Sequence, residues 1–110
     1  ESYEKVSHML ECHSKIDSLY FAAGGLRGGC KAVKDKGLNG KLKIVSFDLM
    51  PFNRQMVEDG TILATIGQQP EYHAEKALDI LVDYLGMNIK PTRECYYSTA
   101  EIRIKANLHE

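Results

Sequence analysis

Two positions in this 110-residue chain join a hydroxyl-gripping side chain to a place a ligand could reach. Asp48 closes the apolar run Leu42-Lys43-Ile44-Val45-Ser46-Phe47. A carboxylate at the end of a buried strand can accept two hydroxyl hydrogen bonds from a polyol or sugar. Ahead of Pro51, the same acid could equally serve the N-terminus of a helix. Gln68, followed by Gln69 and Pro70, brings an amide that donates and accepts. That suits either a hydroxylated ligand or a helix cap. Gly24 and Gly25 open the run Gly24-Gly25-Leu26-Arg27-Gly28-Gly29. A glycine-rich turn from strand to helix can offer backbone N–H groups to an anion. Neither nucleotide-binding glycine motif fits, so a tight turn and close packing are the plainer use of these residues. Arg27 could anchor an anion or point into solvent.

Other chemistry is sparse. His8 and Cys12 stand one helical turn apart and His13 follows, but a zinc site needs a second ligand pair and none is present. No metal site and no cofactor are expected. There is no nucleophile-elbow serine, no paired-carboxylate spacing and no HExxH, so an enzyme is not expected. Ser7 and Ser14 neighbour His8 and His13 in sequence, and sequence neighbours on a helix do not face one another. Three cysteines, Cys12, Cys30 and Cys95, are an odd and sparse set. They read as free thiols in a reducing compartment, which implies a cytoplasmic location. With 14 Lys+Arg against 15 Asp+Glu, the chain lacks the basic excess of a nucleic-acid surface. No apolar run approaches the length of a membrane span.

The elements that must position these groups follow from periodicity. Val6, Met9, Leu10 and His13 predict an amphipathic helix over 3–15. Ser18 to Ala23 reads as a buried strand ending at Gly24-Gly25. Leu26, Cys30 and Val33 predict a helix to Lys36, with Gly37 as its left-handed cap. Residues 42–47 form a second strand. Pro51 opens a helix with Phe52 and Met56 inward, and Gly60 closes it. Thr61 to Ile66 is β-branched and reads as a third strand. Pro70 starts the longest helix, with Ala74, Ala77, Leu78, Leu81 and Leu85 on one stripe and Gly86 at its end. Residues 87–94 read as a surface connection. Residues 95–106 predict a terminal strand, with Ala100, Ile102, Ile104 and Ala106 alternating against charged residues. Tyr20, Phe21, Tyr96 and Tyr97 could stack on a ligand, though aromatics in strands more often belong to the core. Strict alternation of helix and strand implies an α/β fold, a parallel sheet in a three-layer sandwich with right-handed crossovers. Ligands on such sheets bind outside the carboxyl ends of the strands, where Gly24-Gly25, Asp48 and Gln68 lie.

These strand ends together resemble a family. Ile16 to Ala23 looks like the strand before the first ligand loop of the type I periplasmic-binding-protein superfamily. Val45-Ser46-Phe47-Asp48 looks like its "V-G-F-D" strand. Asp59-Gly60-Thr61-Ile62-Leu63-Ala64-Thr65-Ile66-Gly67-Gln68-Gln69-Pro70 resembles its "D-G-x-x-x-A-T-x-x-Q-x-P" crossover. Glu101 to Leu108 is similar to the ending of LacI/GalR-type regulators. The resemblance implies that Asp48 and Gln68 contact a sugar-like ligand. It departs after the first strand, where the family usually has Asn-Asp and this chain has Gly24-Gly25. Backbone N–H groups or Arg27 would then do the work of the missing side chain, which leans toward a more anionic ligand.

The resemblance also implies a homodimer interface over Val6, Met9, Leu10, Leu26, Cys30 and Val33; the alternative is that these stripes face the protein's own sheet, as half of each must in any case. On this reading the chain is roughly the last third of a two-lobed effector-binding domain. Residues 1–67 belong to the C-terminal lobe, 70–86 to a crossover helix of the N-terminal lobe and 95–106 to the terminal strand. The implied function is effector sensing by a LacI-family regulator. Its DNA contact is made by a separate N-terminal helix-turn-helix, with no membrane partner. The alternative on the same fold is a periplasmic sugar-binding protein of an ABC transporter.

Overall fold

The computed structural model describes residues 1–109. The described residues divide into two units, residues 1–67 with 102–109, and residues 68–101. The first unit carries α1 (Ser2–Cys12), β1 (Ser18–Phe21), α2 (Leu26–Asp35), β2 (Lys43–Phe47), α3 (Pro51–Glu58) and β3 (Ala64–Gly67). The second unit carries α4 (Pro70–Met87). A short β4 (Glu101–Arg103) and a 3-10 turn (Lys105–Asn107) follow.

The strand order is β1-β2-β3-β4. β1 runs parallel to β2 with Leu19 opposite Ile44, and β2 parallel to β3 with Ser46 opposite Thr65. Each parallel step is bridged by one helix, as the alternation requires. The fold is α/β, an open and mostly parallel sheet with helices.

The core gathers Val6, Leu26, Cys30, Val33, Ile44, Met56, Val57 and Ile62, with Leu108 from the C-terminal end. Helices α1 and α2 cross closely because α2 carries Gly28 at the crossing, while Gly29 lets it approach β1. A Cβ on Gly28 would fall 2.8 Å from the Tyr3 backbone nitrogen, and one on Gly29 would collide with the Phe21 ring. Lys36 and Glu11, 2.7 Å apart, tie the ends of α2 and α1 together.

Several expectations need correction. Of the stripe expected to serve a dimer interface, Val6, Leu26, Cys30 and Val33 are buried in the chain's own core. Met9 and Leu10, the other two residues of that stripe, are half-buried. Burial also pushes the Cys30 thiol up to about 11. Tyr20 and Tyr97 are exposed rather than core.

The third strand begins at Ala64, not Thr61. The Thr61 N–H goes to the Asp59 carboxylate and the Ile62 N–H to the Met56 carbonyl, so neither is available to a ladder. Helix α4 runs through Gly86 to Met87. Its left-handed cap is Asn88, whose N–H bonds the Tyr84 carbonyl, asparagine being the next-best residue for that conformation.

The terminal strand spans three residues, not twelve, and its Ile102 and Ile104 are exposed. Asn107 ends it. Its side chain accepts from the Ile104 N–H and donates to the Ile102 carbonyl, closing a local turn that competes with the sheet.

Within the second unit, α4 buries no residue. Leu78, Leu81, Val82 and Leu85 are all more than half exposed. His73 meets the Ser98 hydroxyl at 2.6 Å and Lys76 lies over the Tyr96 ring.

Candidate functional site

Strand β2 delivers Asp48 to the carboxyl edge of the sheet, and the backbone there is forced. Asp48 sits at φ +76, in the left-handed region. An L-residue meets steric cost there, which the short polar side chain of aspartate lessens. What holds it is a set of hydrogen bonds to its backbone. Its N–H donates to the Ile66 carbonyl at 2.8 Å. Its carbonyl accepts from Asn53 Nδ2 at 2.9 Å and from the Thr65 hydroxyl at 2.5 Å.

The clamp rests on a buried polar chain. Ser46 Oγ donates to Thr65 Oγ1 at 2.8 Å, which frees the Thr65 proton for the Asp48 carbonyl. Asn53 uses its second amide hydrogen on the Phe47 carbonyl at 3.0 Å. Ser46, Asn53 and Thr65 are all buried. Buried polar groups persist where each finds a partner, and a satisfied chain fixes one geometry. Strain held by its surroundings in this way clusters at ligand clamps.

The sequence reading missed Asn53 and Thr65. Asn53 was legible as the polar residue on the inner face of α3, between Phe52 and Met56. Thr65 was hidden by its β-branched type, which reads as ordinary strand.

Asp48 opens onto a cavity of about 420 Å³. Gly24, Gly25, Arg27, Phe52 and Asn53 line it with Asp48. Gly25 adopts φ +91, the conformation that turns β1 into α2. Arg27 leaves the first turn of α2 and lays its guanidinium 4.5 Å over the Phe52 ring, a cation–π contact that fixes the charge at the cavity rim.

Four of the five expected binding residues, Gly24, Gly25, Arg27 and Asp48, thus meet at one cavity. Gln68, the fifth, belongs to the second unit, and its carbonyl accepts from the Ser98 hydroxyl. Its neighbour Gln69 is half-buried at φ +52 and donates to the Glu101 carboxylate. His8 and Cys12 stand 3.5 Å apart, and among the described residues no group of three or more His, Cys, Asp or Glu could hold a metal. The cavity therefore combines a carboxylate, a cation, apolar rings and a side-chain-free backbone stretch. Such a set suits a small polar ligand with one apolar face.

Comparison with known proteins gives a consistent picture. The family described as periplasmic binding protein domain matches residues 1–88. The D-allose-binding periplasmic protein of Escherichia coli (strain K12) is 30% identical over 84 residues, covering 76% of this chain and 27% of that protein. The glucose-galactose binding protein GanP from Geobacillus stearothermophilus superposes over 99% of this chain and 39% of its own, with a TM-score of 0.88 and 23% identity. An ABC transporter periplasmic solute binding protein from Actinobacillus succinogenes 130z, with bound D-allose, does so over 97% and 37%, with a TM-score of 0.87 and 19% identity. The chain spans well under half the length of these relatives.

Proposed function

Because the chain belongs to the periplasmic binding protein domain family, we propose that the cavity beside Asp48 holds a sugar. The observation that carries this reading is the clamped, left-handed Asp48 at the cavity wall. Backbone strain of this kind persists where the surroundings hold it, and it clusters at ligand clamps. The two carboxylate oxygens of Asp48 suit adjacent hydroxyls, and the nearby Phe47 and Phe52 rings offer apolar faces to a pyranose.

The wider role we propose is solute capture for an ABC transporter rather than gene regulation. The relatives support it: two are named as periplasmic, and one of those as an ABC transporter protein. A receptor of that kind works outside the cytoplasmic membrane, so the expected compartment changes with it. Cell fractionation of the intact protein tests this. Retention of a specific DNA fragment by the intact protein would restore the regulator reading.

The binding test is calorimetric titration of the intact protein with a panel of hexoses and pentoses. Asp48→Asn keeps a residue tolerant of the left-handed region while removing the charge. We expect it to weaken binding roughly tenfold to hundredfold, the worth of hydrogen bonds to a charged group. Unchanged titration by a folded Asp48→Asn protein sinks the assignment.

A further inference from the structure

We propose that the ligand is a sugar bearing an anionic group, a carboxylate or a phosphate, seated over Gly24 and held by Arg27. This rests on the sugar reading above and goes further, to the class of sugar.

The first observation is Gly24. Gly25 needs to be glycine for its φ of +91, and Gly28 and Gly29 for the crowding around them. Gly24 has neither reason. Its φ lies outside the left-handed region and a Cβ added there would meet nothing within 4 Å. It also lines the cavity. What glycine gains at this position is open volume and a bare backbone beside the ligand.

The second observation is Arg27. The other cations of α2 have carboxylate partners. Lys31 pairs with Asp35 and Lys34 with Asp59. Among the described residues no carboxylate pairs with Arg27, which is held only by the Phe52 ring. A guanidinium kept on an aromatic shelf retains its donors for a planar anion. The start of α2 reinforces it, since its first turn has no acidic residue and no side chain caps Gly25.

Asp48 is the other charge lining the cavity. A simple anion would be repelled by it, and a neutral sugar would leave the charge of Arg27 unmatched. A polyol with one anionic arm satisfies both.

The test uses the intact protein and matched pairs: galactose against galacturonate, glucose against glucuronate, and glucose against glucose 6-phosphate. At low salt we expect one anionic member to bind at least about tenfold tighter than its neutral parent. That ratio should shrink as sodium chloride is raised, because a rim charge is screened. Arg27→Gln should bring the ratio toward one, whereas Lys31→Gln, outside the cavity, should leave it unchanged. Gly24→Leu should lose the anionic sugar by filling its place. Neutral sugars binding as tightly as their acids, in a manner that depends on Asp48, overturn this inference alone. A ratio that survives Arg27→Gln overturns it too. A folded protein that binds neither member of any pair overturns the sugar reading and this inference with it.

Discussion

Helices α3 and α4 both begin with proline and both carry an apolar stripe, yet their surroundings are opposite. The eight residues of α3 bury Asn53, Met56 and Val57. The eighteen of α4 bury none, and Leu85 is 76% exposed. An apolar stripe states that a face needs cover and says nothing of what supplies it. For α3 the cover is the sheet of its own unit, with Ile62 N–H bonded back to Met56. For α4 its own unit supplies none.

The largest expected effect separates the two helices directly. Met56→Ala should cost about 2–5 kcal/mol in urea denaturation, because a buried side chain leaves a cavity. Leu81→Ala removes a similar volume and should cost within about 0.5 kcal/mol. Any segment that covers α4 would raise the second value toward the first, so repeating the pair in longer versions of the chain locates that cover.

Next in size is the polar contribution of α3. Asn53→Ala leaves the Phe47 and Asp48 carbonyls without their amide donor and should cost about 1–3 kcal/mol. It should also weaken ligand binding by loosening Asp48, which a purely structural loss elsewhere in the core would not do. Asp79→Ala on α4 should change neither stability nor affinity, so equal effects from the two would break the contrast.

The smallest effect lies at the C-terminal end of α3. Lys34 and Asp59 are 2.7 Å apart with more than a third of each side chain exposed. Burial pushes the Asp59 carboxyl up, but hydrogen bonds from Lys34 and Thr61 outweigh it and hold it below its usual value. A lowered carboxylate pKa stabilises the fold above the unfolded value near 3.9, and this is lost as pH falls through the folded pKa. After screening the contribution is under about 1 kcal/mol. Asp59→Asn should therefore lower stability slightly at pH 5, with the difference from the parent protein vanishing in more acidic solution. A gap that widens on acidification would reverse the sign.

Much of this was open to sequence reasoning because it rests on local rules. Pro51 and Gly60 bracket α3 by the proline-first and glycine-last asymmetry, and the alternation of helix and strand implied parallel pairing. Asp48 was legible as the acid ending a buried strand. What stayed hidden depends on partners distant in sequence. The contact of Thr65 with the Asp48 carbonyl joins residues seventeen apart. Side-chain bonds from Asp59 and Asn107 shorten β3 and β4, and alternation cannot show them. The stripe on α1 and α2 was visible, but that most of it is buried in the protein's own core was not. Periodicity assigns a face and leaves its neighbour open.

The left-handed backbone at Asp48 has a consequence for descent. Glycine there would relieve about 1 kcal/mol of steric cost, while giving up the carboxylate. A lineage that stopped needing the ligand would be free to drift to glycine at 48. The identity of that single residue would then tell descendants that still capture a ligand from those that inherited only the scaffold.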